Sequence, residues 1–184
     1  RSVGASGTAL GEMVFTTAMS GYQEACTDPS YMGQILCFAA PMIGNYGAGP
    51  GFDESDRPQV EGLIMARSGD RGGAAGPTGW NTWLRQRGVV AIDGVDTRRL
   101  VTHLRDRGAM RGGVSSELDP DALRERVLAH PVLDGRDLVS LAAGPRRSLG
   151  SAGPRVAAID CGMKLSIAER LVAAGCRLEV VGAG

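Results

Sequence analysis

The sequence is poor in aromatic residues, in net charge and in long apolar runs, and each shortage excludes a class of protein. It contains three Phe, three Tyr and two Trp in 184 residues, and 20 Lys and Arg balance 20 Asp and Glu. A formal net charge of zero provides no general attraction to nucleic acid or to anionic lipid. The longest nearly apolar run, residues 35–43, contains Pro41 and is too short to cross a bilayer. We therefore expect a globular protein that binds neither nucleic acid nor membrane.

Metal-ligating residues are also scarce. The four cysteines are Cys26, Cys37, Cys161 and Cys176. None of them forms a Cys-x-x-Cys pair, and the chain has only two histidines, so no zinc site is expected. Free thiols in a cytoplasmic protein are the simpler interpretation. His103 and His130 are expected at a helix surface and a helix end.

Glycine, in contrast, is abundant, with 28 residues scattered without a period, which indicates many tight turns. Short apolar runs between these turns predict strands. They are residues 12–17, 34–39, 62–67, 89–92 and 111–116. The mixture of these strands with helices, without a strict βαβ alternation, favours an α+β or layered first domain.

Three helices are predicted from capping residues. Thr78 is a candidate N-cap for a helix that carries Trp80, Trp83 and Leu84 and ends at Gly88. The second begins at Asp96 or Thr97, turns Leu100, Val101 and Leu104 inward and ends at Gly108. The third begins at Asp119-Pro120, turns Leu123, Val127 and Leu128 toward the core and ends at His130-Pro131.

Residues 144–155 are rich in Gly, Pro, Ser and Arg, which predicts a linker. A strand over residues 155–160, apolar enough to be buried on both faces, follows it. Next come a helix with Ile167, Leu171 and Val172 inward and Gly175 at its end, and a strand over 176–181. Strand, helix and strand at this spacing begin a parallel α/β sheet. One such unit does not bury itself, so we expect the chain to be part of a longer protein.

The most unusual short segment is the turn Asp28-Pro29-Ser30-Tyr31. Pro29 fixes its own φ and keeps Asp28 extended, so the turn is shaped in advance. The Ser30 hydroxyl can bond to its own turn or can contact a ligand, since it both donates and accepts. The residues alone leave both interpretations open, and turn statistics favour the first.

Residues 11–47, GEMVFTTAMSGYQEACTDPSYMGQILCFAAPMIGNYG, closely resemble the small subunit of glutamine-hydrolysing carbamoyl-phosphate synthetase. The resemblance continues in order through residues 89–114 and 137–139 to RVAAIDCGMKLSIAERLVAAGCRLEVV near the end of the chain. It implies an α/β protein: a layered β/β/α swivelling domain over residues 1–143, a linker over 144–154, and over 155–184 the first βαβ unit of a doubly wound class I glutaminase domain.

The resemblance also implies an activity, in which a Cys–His–Glu arrangement hydrolyses glutamine and ammonia passes to a large subunit. That subunit uses ATP, magnesium and bicarbonate to make carbamoyl phosphate for arginine and pyrimidine synthesis. Ser30 is then the residue expected to contact glutamine, and no cofactor is expected in this chain. The family's nucleophile lies on a later strand-to-helix turn, so these residues alone are expected to be inactive.

Several other polar residues have both structural and functional interpretations. Cys161 follows a strand and precedes a helix, but the position is usually apolar or aromatic in the family, and we expect it, like the other cysteines, to be packed and inert. Asp160, Gly162 and Lys164 suggest a phosphate site only weakly, because no glycine-rich phosphate loop is present. Leu165-Ser166 replaces the family's commoner basic residue and asparagine, and Ser166 is a candidate helix cap.

Two surfaces are candidates for contacts with other domains or subunits. Residues 22–24 and Tyr31 are expected to build the joint that holds Ser30 against the glutaminase domain. One predicted helix has a basic face formed by Arg98, Arg99, Arg105 and Arg107. We expect this face mainly to be solvated, and the alternative is that it docks on the large subunit. For the whole chain, a non-catalytic scaffold and a nucleotide-binding α/β protein are the alternatives to the glutaminase subunit.

Overall fold

The computed structural model describes residues 1–183, which form two β-sheets with helices packed on them. The strands are β1 (Thr8–Thr16), β2 (Gln34–Phe38), β3 (Gly62–Ile64), β4 (Val90–Ile92), β5 (Met110–Ser115), β6 (Arg147–Leu149), β7 (Arg155–Asp160) and β8 (Arg177–Gly182). The helices are α1 (Tyr22–Thr27), α2 (Trp80–Gln86), α3 (Thr97–Arg107), α4 (Pro120–Ala129), α5 (Val139–Ala142) and α6 (Leu165–Ala173), with a 3-10 turn at Pro29–Tyr31. No helix in this part of the chain has the length and apolar character of a membrane span.

The first sheet has the strand order β4-β3-β2-β1-β5, and all five of its strands were predicted from the sequence. Strands β1 to β4 run parallel, and β5 runs antiparallel to β1. Strand β2 shows why the sheet needs cover on both faces: Leu36 and Phe38 pack into one cluster, while Ile35 and Cys37 pack into another. The mixed α/β class is confirmed, and the β/β/α swivelling architecture stays a prediction.

Half of the aromatic residues form a single column of ring contacts, the aromatic column, on one face of this sheet. Tyr22 stacks on Tyr46 with ring centroids 4.2 Å apart, Trp80 lies 4.6 Å from Tyr22, and Trp83 lies 5.1 Å from Trp80. Such contacts add to the free energy of burying the rings. The column joins α1, the loop after β2 and α2, so a few large side chains fix the relative positions of three distant segments.

The second sheet is smaller and has the order β6-β8-β7. Strands β7 and β8 pair in parallel, as the strand–helix–strand pattern predicted, and α6 connects them. Its core consists of Ala168 from α6 with Leu178 and Val180 from β8. Gly175 has φ 87°, the left-handed conformation expected of the residue that ends this helix.

The segment predicted to be a linker is partly ordered in this second sheet. Arg147–Leu149 forms β6, which pairs antiparallel with β8, and Leu149 packs against the small core. The sequence pattern does not predict this strand, because only one of its three residues is apolar. The division into domains at residues 143 and 155 stays a prediction.

Three predictions of buried side chains are wrong. Ile159 on β7 is 69% exposed, because α6 covers only one face of the second sheet and Ile159 lies on the other. Ile167 is 45% exposed, and Ala168 takes the inward position on α6 instead. Leu128 is 56% exposed, because α4 rests on the sheet through Leu123 and Val127, whose methyl groups lie over Gly113.

The predicted caps of α3 and α4 are confirmed, since Asp96 accepts from the N–H of Arg99, and Asp119 from those of Asp121 and Ala122. Two other cap predictions are wrong. Gly79, not Thr78, precedes α2. Lys164, not Ser166, is the N-cap residue of α6; Ser166 lies inside the helix, where its hydroxyl donates to Glu54 over 2.8 Å.

Replacing Trp80 by alanine should lower the free energy of unfolding by about 3–5 kcal/mol, because the side chain is fully buried and contacts two other rings. Urea denaturation followed by circular dichroism measures this change. Leu128→Ala is the control, since its exposed side chain should change the free energy by less than about 0.5 kcal/mol. An equal decrease in the free energy of unfolding in both variants would contradict the conclusion that the aromatic column stabilises the first sheet.

Candidate functional site

The candidate site begins with the turn that carries Ser30. Asp28 follows α1, and its Oδ1 accepts a hydrogen bond of 2.9 Å from the backbone N–H of Ser30. Pro29 occupies the first position of the 3-10 turn, and the N–H of Tyr31 donates to the carbonyl of Asp28 over 3.0 Å. The carboxylate therefore holds the backbone of Ser30. The hydroxyl of Ser30 is exposed and makes no hydrogen bond within residues 1–183.

The other oxygen of Asp28 reaches the second sheet. Lys164, the residue before α6, places its Nζ 2.6 Å from Asp28 Oδ2. The Asp28 side chain is nearly buried, whereas that of Lys164 is 38% exposed, so the ion pair is shielded from solvent mainly on the Asp28 side. The hydrogen bond to Asp28 and the negative charge of that carboxylate raise the pKa of Lys164. One carboxylate thus connects the Ser30 turn to the start of α6.

Asp160 holds the strand-to-helix corner between β7 and α6. Its Oδ1 accepts from the N–H groups of Gly162 and Met163 over 2.9 and 2.8 Å, and its Oδ2 accepts from Gly144 over 3.2 Å. Burial alone would raise the pKa of Asp160, but these hydrogen bonds and the nearby Arg147 charge lower it. The carboxylate stays ionised and fixes the corner.

Gly162 brings this corner against the Ser30 turn. Its φ is 100°, and a Cβ at this position would lie 3.1 Å from the Cβ of Pro29 and of Ala142. Any other residue would be strained by this φ and crowded by both neighbours. The glycine therefore permits the close approach of the corner to Pro29.

The cysteines separate into two kinds. Cys26 and Cys37 are fully buried, as predicted, and burial raises the pKa of the Cys37 thiol to about 12 and that of Cys26 as well. Cys161 was predicted to be packed, and that prediction is wrong because its side chain is exposed at the corner. Cys176 is half-buried. All four are free thiols.

Neither histidine is joined to Cys161 by a hydrogen bond in the described chain. His103 is exposed on α3, and His130 follows the last turn of α4, which are the surface and helix-end positions predicted from the sequence. Residues 1–183 also hold no cluster of three His, Cys, Asp or Glu side chains suited to a metal ion. The structure therefore assembles no nucleophile–base pair around Cys161.

Two of the residues expected to build a joint hold a loop of the first sheet, and the joint itself stays a prediction. Tyr22 and Gln23 are buried and hold the loop after β2: the Tyr22 hydroxyl donates to the carbonyl of Gly47 over 2.6 Å, and the Gln23 amide donates to that of Gly49 over 2.7 Å. This loop leads to Glu54, which contacts Ser166 on α6. Sequence reasoning missed Glu54, because its contact joins residues 112 positions apart and no local motif marks it.

The basic face of α3 is solvated, as expected. Arg98, Arg99, Arg105 and Arg107 are all exposed, and Arg105 pairs with the neighbouring exposed Asp106 over 3.1 Å. Such surface pairs contribute little to stability. No hydrogen bond or ion pair in the described chain joins this face to the Ser30 turn, and we do not include it in the candidate site.

Comparison with known proteins gives a consistent set of relatives. The family model described as "Carbamoyl-phosphate synthase small chain, CPSase domain" matches residues 1–114. The carbamoyl phosphate synthase small chain of Syntrophotalea carbinolica is 39% identical over 100% of this chain and 54% of its own length. The proteins of the same name from Thermosynechococcus vestitus and Thermotoga maritima are 41% and 40% identical over 99% and 97% of this chain.

The chain spans about half the length of the curated relatives that it matches. The family match covers the first sheet except for the last residue of β5, and the longer alignments include the second sheet and the corner at Asp160. The resemblance inferred from residues 11–47 is therefore confirmed, and the chain belongs to the carbamoyl-phosphate synthase small chain family.

Proposed function

We propose that this chain is the N-terminal part of a small subunit that hydrolyses glutamine and supplies ammonia to a carbamoyl-phosphate synthase large subunit. The observation that carries the proposal is the ion pair between Asp28 and Lys164, which places the exposed Ser30 beside the strand-to-helix corner of the second sheet. We call the first sheet with its helices the first unit, and the second sheet with α6 the second unit. In a glutaminase domain that begins with the second unit, Ser30 would enter the glutamine site from the first unit.

The chemistry of the proposed reaction is acyl transfer. A cysteine thiolate attacks the side-chain amide carbon of glutamine, ammonia leaves, and water hydrolyses the thioester, while backbone N–H groups stabilise the oxyanion. We assign the Cys–His–Glu residues of this step to the part of the protein after residue 184. Ser30 would donate to the α-carboxylate or accept from the α-ammonium group of glutamine, and it would bind substrate without taking part in bond breaking.

The partner in this proposal is the large subunit, which would use ATP, magnesium and bicarbonate to convert ammonia into carbamoyl phosphate for arginine and pyrimidine synthesis. Such a ligase would work in the cytoplasm, and the four free thiols agree with a reducing compartment. We expect no cofactor in the small subunit itself.

The nucleotide-binding alternative has less support, because Lys164 is the cation that would face a phosphate. Its Nζ is already bound to Asp28 at 2.6 Å. The chain also lacks the glycine-rich loop that usually surrounds phosphates. The scaffold alternative would keep the same first sheet and would have no activity, which the measurement of glutamine use by the complete enzyme tests.

The 184 residues alone should release no ammonia from glutamine, because neither His103 on α3 nor His130 after α4 makes a hydrogen bond to Cys161 in the described structure. The measurement is an ammonia assay on the purified chain, with circular dichroism to show that it is folded. Ammonia release that disappears in a Cys161→Ser variant would contradict the prediction and would identify Cys161 as a nucleophile.

In the complete two-subunit enzyme, Ser30→Ala should raise the KM for glutamine roughly tenfold or more, because a hydrogen bond to a charged group of the substrate is lost. Synthesis from added ammonia should be unchanged, since it bypasses the glutamine site. Ser151→Ala, which removes an exposed hydroxyl at a distant turn, is the matched control. A glutamine KM equal to that of the unmodified enzyme would refute the role of Ser30.

A further inference from the structure

The start of α6 is capped by a residue from the first sheet's unit. Ser166 donates its backbone N–H to Glu54 Oε2 over 3.0 Å and its hydroxyl to Glu54 Oε1 over 2.8 Å. The N–H of Leu165 donates to the backbone carbonyl of Glu54 over 2.8 Å. Two consecutive N–H groups of the first helical turn are thus satisfied by a residue more than 100 positions earlier in the chain.

This arrangement supplies what α6 lacks locally. The first N–H groups of a helix have no partner within the helix, and the N-terminal end carries a partial positive charge. Lys164 precedes the helix, and its side chain makes no capping hydrogen bond. A carboxylate at this end satisfies both requirements, so Glu54 performs for α6 the function that Asp96 performs for α3 from within its own segment.

Glu54 is itself held by the residue next to Asp28. Its backbone N–H donates to the hydroxyl of Thr27 over 2.8 Å, and that fully buried hydroxyl donates to the carbonyl of Gln23 over 2.9 Å. Ser55 adds a hydrogen bond of 2.6 Å to the Thr27 carbonyl. Glu54 and Ser30 are therefore held by two adjacent residues: Thr27 bonds to Glu54, and Asp28 bonds to Ser30.

We propose that Glu54 is a positioning residue for the glutamine reaction: by capping α6 from the first unit, it sets the distance between Ser30 and the second unit's substrate site. It acts together with the pair between Asp28 and Lys164, since both contacts reach the first turn of α6 or the residue before it. Two contacts at separate points restrain rotation, which a single ion pair would permit. This inference rests on the proposed glutaminase function.

The test uses the complete two-subunit enzyme with Glu54→Ala and Glu54→Gln. Glu54→Ala should raise the KM for glutamine about tenfold with little change in kcat, because Ser30 would no longer be held at its distance from glutamine. Tenfold is the lower end of what the hydrogen bond from Ser30 to a charged group of the substrate would contribute. Ammonia-dependent synthesis should not change. Glu54→Gln keeps one oxygen acceptor and should recover part of the affinity. Glu169→Gln, an exposed carboxylate further along α6, is the matched control and should behave as the unmodified enzyme.

A second readout tests the contact without using activity. Hydrogen exchange at the backbone amide of Ser166 should become several-fold faster in Glu54→Ala, because that amide loses its carboxylate acceptor. The amide of Leu165 should change less, since it donates to the backbone carbonyl of residue 54, which alanine retains. Both amides should stay unchanged in Glu169→Gln. Ser166→Ala should raise the KM less than Glu54→Ala, because it removes only one of the three hydrogen bonds. If Glu54→Ala does not fold, Glu54→Gln is judged on the same two measurements.

Unchanged exchange at the Ser166 amide in Glu54→Ala would overturn the proposal, as would faster exchange with an unchanged KM for glutamine. An equal loss of glutamine-dependent and ammonia-dependent synthesis would also overturn it, since it would show a general structural role. These outcomes differ from failure of the proposed function. An unmodified enzyme that uses ammonia but not glutamine would refute the glutaminase function, whereas a raised KM in Ser30→Ala beside a normal KM in Glu54→Ala would refute only the role of Glu54.

Discussion

The Asp28 carboxylate is the point on which the geometry of the candidate site depends. One oxygen holds the backbone of Ser30, and the other pairs with Lys164 of the second unit. A carboxylate with a single partner could orient the turn or join the two units, but not both. Because it is nearly buried, losing either partner would leave an incompletely satisfied charge, which is costly. The pair therefore couples the position of Ser30 to the position of α6.

The rest of the first unit supports this carboxylate. The ring contacts of Tyr22 with Tyr46 and with Trp80 fix α1 against α2, and α1 ends directly before Asp28. The Tyr46 hydroxyl also accepts from the N–H of Gly21 over 2.6 Å, which holds the start of α1. Three of the eight aromatic residues of the chain thus fix the position of this short helix, and with it the position of Asp28.

Local features of the structure were predictable from the sequence, and contacts between distant segments were not. The five strands of the first sheet and the caps at Asp96 and Asp119 depend on neighbouring residues, so patterns reveal them. Periodicity predicts that α6 is amphipathic, but it does not show which of its side chains face the second sheet. The prediction that Ile167 faces inward is wrong for this reason. Ser30 was singled out by family resemblance. Glu54 was missed because only the folded chain brings it to Ser166.

The most direct test of this account is a crystal structure of the complete small subunit with a glutamine analogue bound to its nucleophile. The account predicts that Asp28 and Lys164 remain paired and that the Ser30 hydroxyl lies within about 3.2 Å of a polar atom at the amino-acid end of the analogue. A Ser30 hydroxyl more than roughly 4 Å from every polar atom of the analogue, with the Asp28–Lys164 pair intact, would contradict it.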